Sequence, residues 1–150
     1  GEEGAGGQHV IGSISHDQGR TWSDPIDIEP GTGPEASWAV PLLTSYGRLY
    51  VFYTYNRDNL REIPRTENRY TARRVDTLGY WTFRYSDDGG RTWSKDRFEI
   101  PLRPWTYDNG NNFDGKVRFF WSVCKPLVDR GQVFIGFARI SRWGMPGVLV

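Results

Sequence analysis

An all-β fold is predicted for this chain by three features of its sequence. Aromatic residues make up 15% of its 150 residues, and strands favour aromatic and β-branched side chains over straight-chain helix formers. The 18 glycines and 9 prolines provide turn signals at short intervals along the whole length. In addition, one short segment occurs twice with the same spacing of turn residues, which is typical of a repeated β-sheet unit.

The overall composition excludes several classes of protein. A formal net charge of +1 and a hydrophobic content of 37% exclude a nucleic-acid-binding tail and a disordered segment. No apolar run is long enough to span a bilayer, and the single Cys124 cannot form an intrachain disulfide. The chain starts without methionine and stops on the apolar residues 148–150, so we expect it to be an excerpt of a longer or processed protein.

The repeated segment covers residues 15–23 and, 71 positions later, residues 86–94. In such a turn the aspartate accepts hydrogen bonds from backbone amides, the glycine adopts a positive φ, and the tryptophan covers adjoining apolar surface. A structural role is therefore predicted for the shared residues, which are Ser15, Asp17, Gly19, Thr21 and Trp22 in the first copy and Ser86, Asp88, Gly90, Thr92 and Trp93 in the second.

Alternating apolar residues and turn signals predict eight strands. They cover residues 9–15, 25–30, 37–43, 48–56, 80–85, 97–102, 117–128 and 132–141. In chain order these strands make half of a four-stranded antiparallel unit, one complete unit and a second half. Two polar stretches, 57–78 and 102–120, are insertions between strands.

The repeated segment resembles the Asp-box, or BNR repeat, of the sialidase (neuraminidase) superfamily. The resemblance implies a six-bladed β-propeller, of which this chain supplies two to three blades: a half blade over 9–30, a full blade over 37–102 and a half blade over 117–150. The remaining blades would then be partners of this chain. In such blades the Asp-box turns lie at one end, so both insertions are expected at the opposite end, where a rigid scaffold presents its binding loops.

The resemblance also implies a function. We expect a glycoside hydrolase of the exo-α-sialidase type that acts on a glycan, with an acidic glycan favoured by the arginine-rich insertion. A secreted, periplasmic or cell-surface location is implied in the same way. We expect carbohydrate as the partner, with no nucleic acid, no membrane, no cofactor and no metal.

Candidate substrate-binding residues come from both insertions and from two strands. Arginine binds carboxylates and sulfates through two parallel hydrogen bonds, and aromatic rings stack on sugars. These features select Arg57, Arg61, Arg69, Arg73, Trp105 and Asn112, together with Lys125 and Arg139, which interrupt apolar strands. Three other interpretations stay open. Residues 57–78 could form a short helix, broken near Pro64, with i,i+4 ion pairs, and residues 102–120 could be a plain polar turn. Lys125 and Arg139 could extend their charged ends to the rim.

Catalytic residues are assigned by residue type alone, because sialidases use a tyrosine nucleophile paired with a glutamate and an aspartate as general acid. The candidates are Asp108 or Asp114 as acid and Tyr70 or Tyr107 as nucleophile. The Arg-Ile-Pro signature of the family is absent, since Glu62 interrupts it between Arg61 and Pro64. This departure supports a second hypothesis, a non-catalytic Asp-box propeller that binds glycan or protein.

Overall fold

The computed structural model of the chain describes residues 6–66 and 72–141, and the backbone of residues 144–149. These residues form ten strands: β1 (Ile11–Gly12), β2 (Ile26–Asp27), β3 (Ala36–Leu43), β4 (Leu49–Tyr55), β5 (Tyr80–Ser86), β6 (Phe98–Ile100), β7 (Phe120–Trp121), β8 (Leu127–Asp129), β9 (Gln132–Ile140) and β10 (Gly144–Leu149). Two short 3₁₀ helices, Val75–Thr77 and Thr106–Gly110, lie in the insertions. The structure confirms the predicted all-β class. Among the described residues, no helix has the length and apolar character needed to cross a membrane.

The strands form three antiparallel sheets. β1 pairs with β2, the central sheet has the order β3-β4-β5-β6, and the third sheet has β9 between β10 on one side and β7 and β8 on the other. Each strand of the central sheet pairs with the next one along the chain, because the connections between β3 and β4 and between β5 and β6 are hairpins.

The third sheet differs from the prediction of one continuous strand over 117–128. Two separate short strands, β7 and β8, pair with β9 instead. Pro126 has no N–H for a ladder hydrogen bond, and the hydroxyl of Ser122 donates to the carbonyl of Gly136 at 2.6 Å. The side-chain bond thus holds the stretch beside β9 where the backbone ladder is interrupted.

Successive residues of a strand point to opposite sides of a sheet, and in the central sheet the residues on both sides contribute to buried clusters. One face packs against the first sheet, through Val10, Ile28, Ala36, Val51, Tyr53 and Tyr55. The other face packs against the third sheet, through Val40, Leu42, Phe52, Trp81, Phe120 and Ile135. The central sheet is therefore the middle layer of three.

A buried carboxylate joins the first sheet to the central one. Glu29, which follows β2, is 1% exposed and accepts hydrogen bonds from the Arg97 guanidinium at 2.7 and 2.9 Å. Arg84 forms an ion pair with it at 3.0 Å, and the Tyr53 hydroxyl donates to the same carboxylate. Burial, together with the adjacent Glu29, raises the pKa of Tyr53 far above its ordinary value. The cluster lies inside the protein and is a packing feature.

The two repeated turns share one hydrogen-bond network. In the first copy the Asp17 carboxylate accepts bonds from the Thr21 N–H at 2.9 Å, the Thr21 hydroxyl at 2.7 Å and the Ser15 hydroxyl at 2.8 Å. Gly19, at a φ of +87°, donates its N–H to the Ser15 hydroxyl. The second copy repeats these bonds with distances of 2.6 to 2.9 Å. Each of these hydrogen bonds joins residues no more than four positions apart, so the local sequence is enough to form the network.

The tryptophans of the two turns differ in their surroundings. Trp93 is half-buried and packs against the cluster of Val10 between the first two sheets. Trp22 is 64% exposed, and no buried cluster of the described residues includes it. The expectation that both rings cover apolar surface is therefore wrong for Trp22, because the described part of the chain places no sheet face against it.

The turn carboxylates make a pH-dependent contribution to stability. Hydrogen bonds from Thr21 lower the pKa of Asp17 to about 2 from 3.8, and those from Thr92 hold the pKa of Asp88 lower still. Groups with depressed pKa values stabilise the fold above pH 4, and this stabilisation is lost as the pH falls through about 2. We expect the midpoint of denaturation to decrease as the pH is lowered from 4 to 2, and to decrease less in the Asp88→Asn variant.

The matched control for this experiment is Asp96→Asn, which changes an exposed aspartate beside the same turn. It should keep the pH profile of the unmodified protein. A midpoint that stays constant between pH 4 and pH 2 in the unmodified protein would contradict the assignment.

Candidate functional site

The two long insertions meet at one end of the sheets, which we call the insertion end. Residues 56–79 connect β4 to β5, and residues 101–119 connect β6 to β7, so both leave the sheets opposite the repeated turn of residues 86–94. The Arg65 guanidinium donates to the carbonyl of Asn112 at 2.5 Å and to Asp114 at 2.8 Å. The sequence-based expectation that the insertions share one end thus agrees with their contacts.

Three buried carboxylates, each paired with an arginine, anchor the insertion end. The pairs are Glu35 with Arg61, Asp76 with Arg74 at 3.0 Å, and Asp108 with Arg139 at 2.8 Å. Burial raises the pKa of Glu35, but the hydrogen bonds from Arg61 and from the Gly7 N–H outweigh it and hold this pKa below its ordinary value. Buried charges need such partners. Arg139 on β9 ties the second insertion to the third sheet, Arg61 ties the first insertion to the linker before β3, and the Arg74–Asp76 pair is internal to the first insertion.

Two residues that the sequence selected separately, Asp108 and Arg139, are brought together here. Asp108 is 3% exposed and also accepts a hydrogen bond from the Trp105 N–H at 2.8 Å. Arg139 donates in addition to the carbonyl of Arg103 at 2.7 Å. This geometry makes the pair an internal anchor of the second insertion. Trp105 itself is half exposed, with the Arg139 guanidinium 5.8 Å from its ring centroid, and is accessible to a ligand.

The arginines of the first insertion are paired with distant acids. Arg57 donates to Glu99 at 2.7 Å, Arg61 pairs with Glu35, and Arg65 pairs with Asp114. These acidic partners lie 26 to 49 positions away in sequence, and residues 57–66 contain no helix. The helical i,i+4 interpretation is therefore wrong for residues 57–66.

The remaining predicted residues lie in several places. Tyr107 is half-buried in the 3₁₀ helix of the second insertion, and Arg73 is exposed. Lys125 is exposed between β7 and β8. Arg69 and Tyr70 lie outside the described residues.

A group of residues not selected from the sequence lies where the two large sheets present their free edge strands. β3 is an edge of the central sheet, and β7 is an edge of the third sheet. Trp38 on β3 and Trp121 on β7 contact each other, with ring centroids 6.1 Å apart. We call Trp38, Trp121, Arg74 and Asp76 the inner-edge cluster.

Trp38 has an unusual backbone conformation. Its φ is +61°, which side-chain-bearing residues rarely adopt, and it lies at the irregularity between Ser37 and Val40 in the pairing of β3 with β4. A β-bulge of this kind redirects a side chain out of the regular alternation. Strained residues concentrate at binding and active sites, and this one supports the indole in its position beside Trp121.

Arg74 and Asp76 place a charged pair beside the indoles. The Arg74 guanidinium lies 5.7 Å from the Trp38 ring centroid, and it forms two hydrogen bonds with Asp76 at 3.0 and 3.4 Å. Asp76 lines a cleft of about 660 Å³ together with residues 6–11 and 36–39. The arrangement places an aromatic platform beside a cation of the kind that can bind an anion and a carboxylate of the kind that can transfer a proton.

The sequence contained only weak signals for this cluster. Asp76 stands among the acidic residues that offset the arginines of 57–78, and Trp38 stands in an ordinary apolar strand. Their proximity depends on the bulge in β3 and on the packing of the 3₁₀ helix Val75–Thr77 against it. Within the described residues, no group of three histidine, cysteine or acidic side chains is arranged to hold a metal ion.

Comparison with known proteins finds a likeness among solved structures. No family model matches the chain, and no curated protein matches it. Among solved structures, the chain is similar to the Hadza microbial sialidase Hz136, with a TM-score of 0.58 and 20% identity over 93% of this chain. The chain spans 28% of the length of that sialidase. The likeness shows a sialidase-like β fold.

Proposed function

We propose that this chain is part of a sialidase-like glycoside hydrolase, of the exo-α-sialidase type, that acts on an acidic glycan. The observation that carries the proposal is the inner-edge cluster: an arginine–carboxylate pair beside two indoles, at the insertion end of a sialidase-like fold. An acidic sugar needs a cation for its carboxylate and an aromatic surface for its ring, and the cluster offers both.

The proposal includes the Asp-box propeller, with a half blade over 9–30, a full blade over 37–102 and a half blade over 117–150. The three-layer packing supports it, since the central sheet is covered on both faces as a blade between two neighbours would be. The identical hydrogen-bond networks of the two repeated turns support it as well.

Within this function we assign the acid–base role to Asp76 rather than to Asp108 or Asp114. Asp76 lines the cleft of about 660 Å³ beside residues 36–39, whereas Asp108 is enclosed by Arg139 and Asp114 pairs with Arg65 on the surface. When a substrate carboxylate draws the Arg74 guanidinium to itself, Asp76 loses part of its stabilising charge. The Asp76 carboxylate would then be available to exchange a proton with a leaving group in the cleft that it lines.

Other parts of the function remain predictions. The nucleophile stays assigned by residue type to Tyr70 or Tyr107, and the location outside the cytoplasm rests on family resemblance. Trp105, which is accessible at the same end, is proposed as an additional sugar contact.

The test replaces Trp38 by glycine in the full-length protein. Glycine adopts a positive φ without strain, which offsets part of the packing lost with the half-buried indole, so we expect a modest fall in the melting temperature. Loss of the indole should lower kcat/KM for an aryl α-sialoside about fivefold, because ring stacking contributes on the order of 1 kcal/mol beyond burial.

Trp22→Gly, at the exposed turn opposite the insertion end, is the matched control and should keep full activity. Unchanged turnover in Trp38→Gly would remove the cluster from the active site. If the unmodified protein hydrolyses no acidic or neutral glycoside but still binds glycans, the binding-module hypothesis replaces the enzyme.

A further inference from the structure

A second cleft lies at the insertion end and shares no residue with the inner-edge cluster. It has a volume of about 420 Å³ and lies between the start of β5, the end of β6 and residues 116–118. β5 and β6 are the two strands of the central sheet farthest from its inner edge, β3. We call this cavity the outer cleft.

One wall of the outer cleft carries hydrogen-bond acceptors held in fixed positions. The Tyr80 hydroxyl donates to Asp58 at 2.7 Å, and the Arg57 guanidinium lies 3.7 Å from the Tyr80 ring centroid. Arg57 also donates to Glu99 at 2.7 Å. Because each carboxylate has four lone-pair positions, Asp58 and Glu99 retain acceptor capacity toward a ligand.

The opposite wall carries donors. Lys116 is exposed at the cleft and, in the part of the chain that the structure describes, its ammonium forms no ion pair. Arg118 is half-buried beside it and donates to the carbonyl of Gly115 at 2.7 Å. The two lining cations match the two lining carboxylates in number, and Arg57 beside that wall already pairs with Glu99, so no strong excess of one charge selects an ion.

We propose that the outer cleft is a second saccharide subsite, which binds a neutral, hydroxyl-rich sugar unit of a glycan. Sugar hydroxyls both donate and accept hydrogen bonds, as the facing walls of carboxylates and cations require. The apolar floor of Ile100, Pro101 and Leu102 matches the C–H face of a sugar ring. The choice of a glycan rests on the proposed function, and the cleft itself is distinct from the proposed catalytic cluster.

In the test, lactose and a small panel of neutral disaccharides are titrated against the full-length protein, and binding is measured by ligand-observed NMR. Lys116→Met and Glu99→Gln each remove the charge of one wall's side chain at nearly constant volume, and each should weaken binding of the preferred disaccharide about tenfold, since hydrogen bonds to charged groups are the stronger ones. Lys95→Met, an exposed lysine at the opposite end, is the matched control and should bind as the unmodified protein does.

The outcomes separate this subsite from the proposed catalytic function. Turnover of the aryl α-sialoside should be unchanged in Lys116→Met and Glu99→Gln, because that substrate has a single sugar. If the sialoside is never hydrolysed, the catalytic proposal fails, and the subsite is still decided by the disaccharide titration. The subsite is overturned if no neutral disaccharide binds, if both variants bind normally, or if free sialic acid displaces the disaccharide.

Discussion

Replacing Glu29 by alanine is expected to lower the free energy of unfolding by about 3 to 5 kcal/mol. The carboxylate is 1% exposed and holds Arg97, Arg84 and the Tyr53 hydroxyl between the first and the central sheet. Removing it leaves two partly exposed guanidinium groups near each other without their counter-charge, and leaves the buried Tyr53 hydroxyl without its acceptor. The measurement is chemical denaturation of the full-length protein at neutral pH.

Glu62→Ala provides the control, because Glu62 is exposed in the first insertion and its loss should change the free energy of unfolding by no more than about 0.5 kcal/mol. If Glu29→Ala folds too poorly to be measured, Glu29→Gln preserves the shape and should show a smaller loss in the same direction. Equal stability of Glu29→Gln and the unmodified protein would show that the ionic cluster does not hold the sheets together.

Asp76→Asn is expected to have the largest effect on activity, a fall in kcat/KM of about 10² to 10⁴ for an acidic glycoside. An amide cannot transfer the proton that a leaving group needs, although it fills the same space beside Arg74. The pH profile should lose the limb that reports this acid, whereas a purely structural residue would lower the rate equally at every pH.

Two further aspartates make this result specific. Asp108→Asn should mainly lower the melting temperature, because Asp108 anchors the second insertion through Arg139. Asp129→Asn changes an exposed side chain on β8, away from the insertion end, and should alter neither property. If Asp108→Asn loses activity with full stability while Asp76→Asn keeps its activity, the acid assignment moves to Asp108.

Those features that local sequence encodes were predictable. Strand-favouring side chains bounded by turn residues predicted the four strands of the central sheet to within about two residues, since a pleated sheet accommodates β-branched and aromatic side chains well. The repeated turns were predictable because Asp17 and Asp88 accept all their bonds within four residues. Where Pro126 interrupts the ladder, the predicted continuous strand gave way to two short ones.

By itself, the sequence determined the all-β class, the two turns and the position of the insertions between strands. Tertiary structure alone decided which acid each arginine meets, as Arg61 with Glu35 and Arg139 with Asp108 show. It also decided that Trp38 turns toward Trp121 beside Arg74. The physical reason is that these partners lie dozens of residues apart, so their contact depends on how the sheets stack and where a strand bulges, and neither leaves a local period in the sequence.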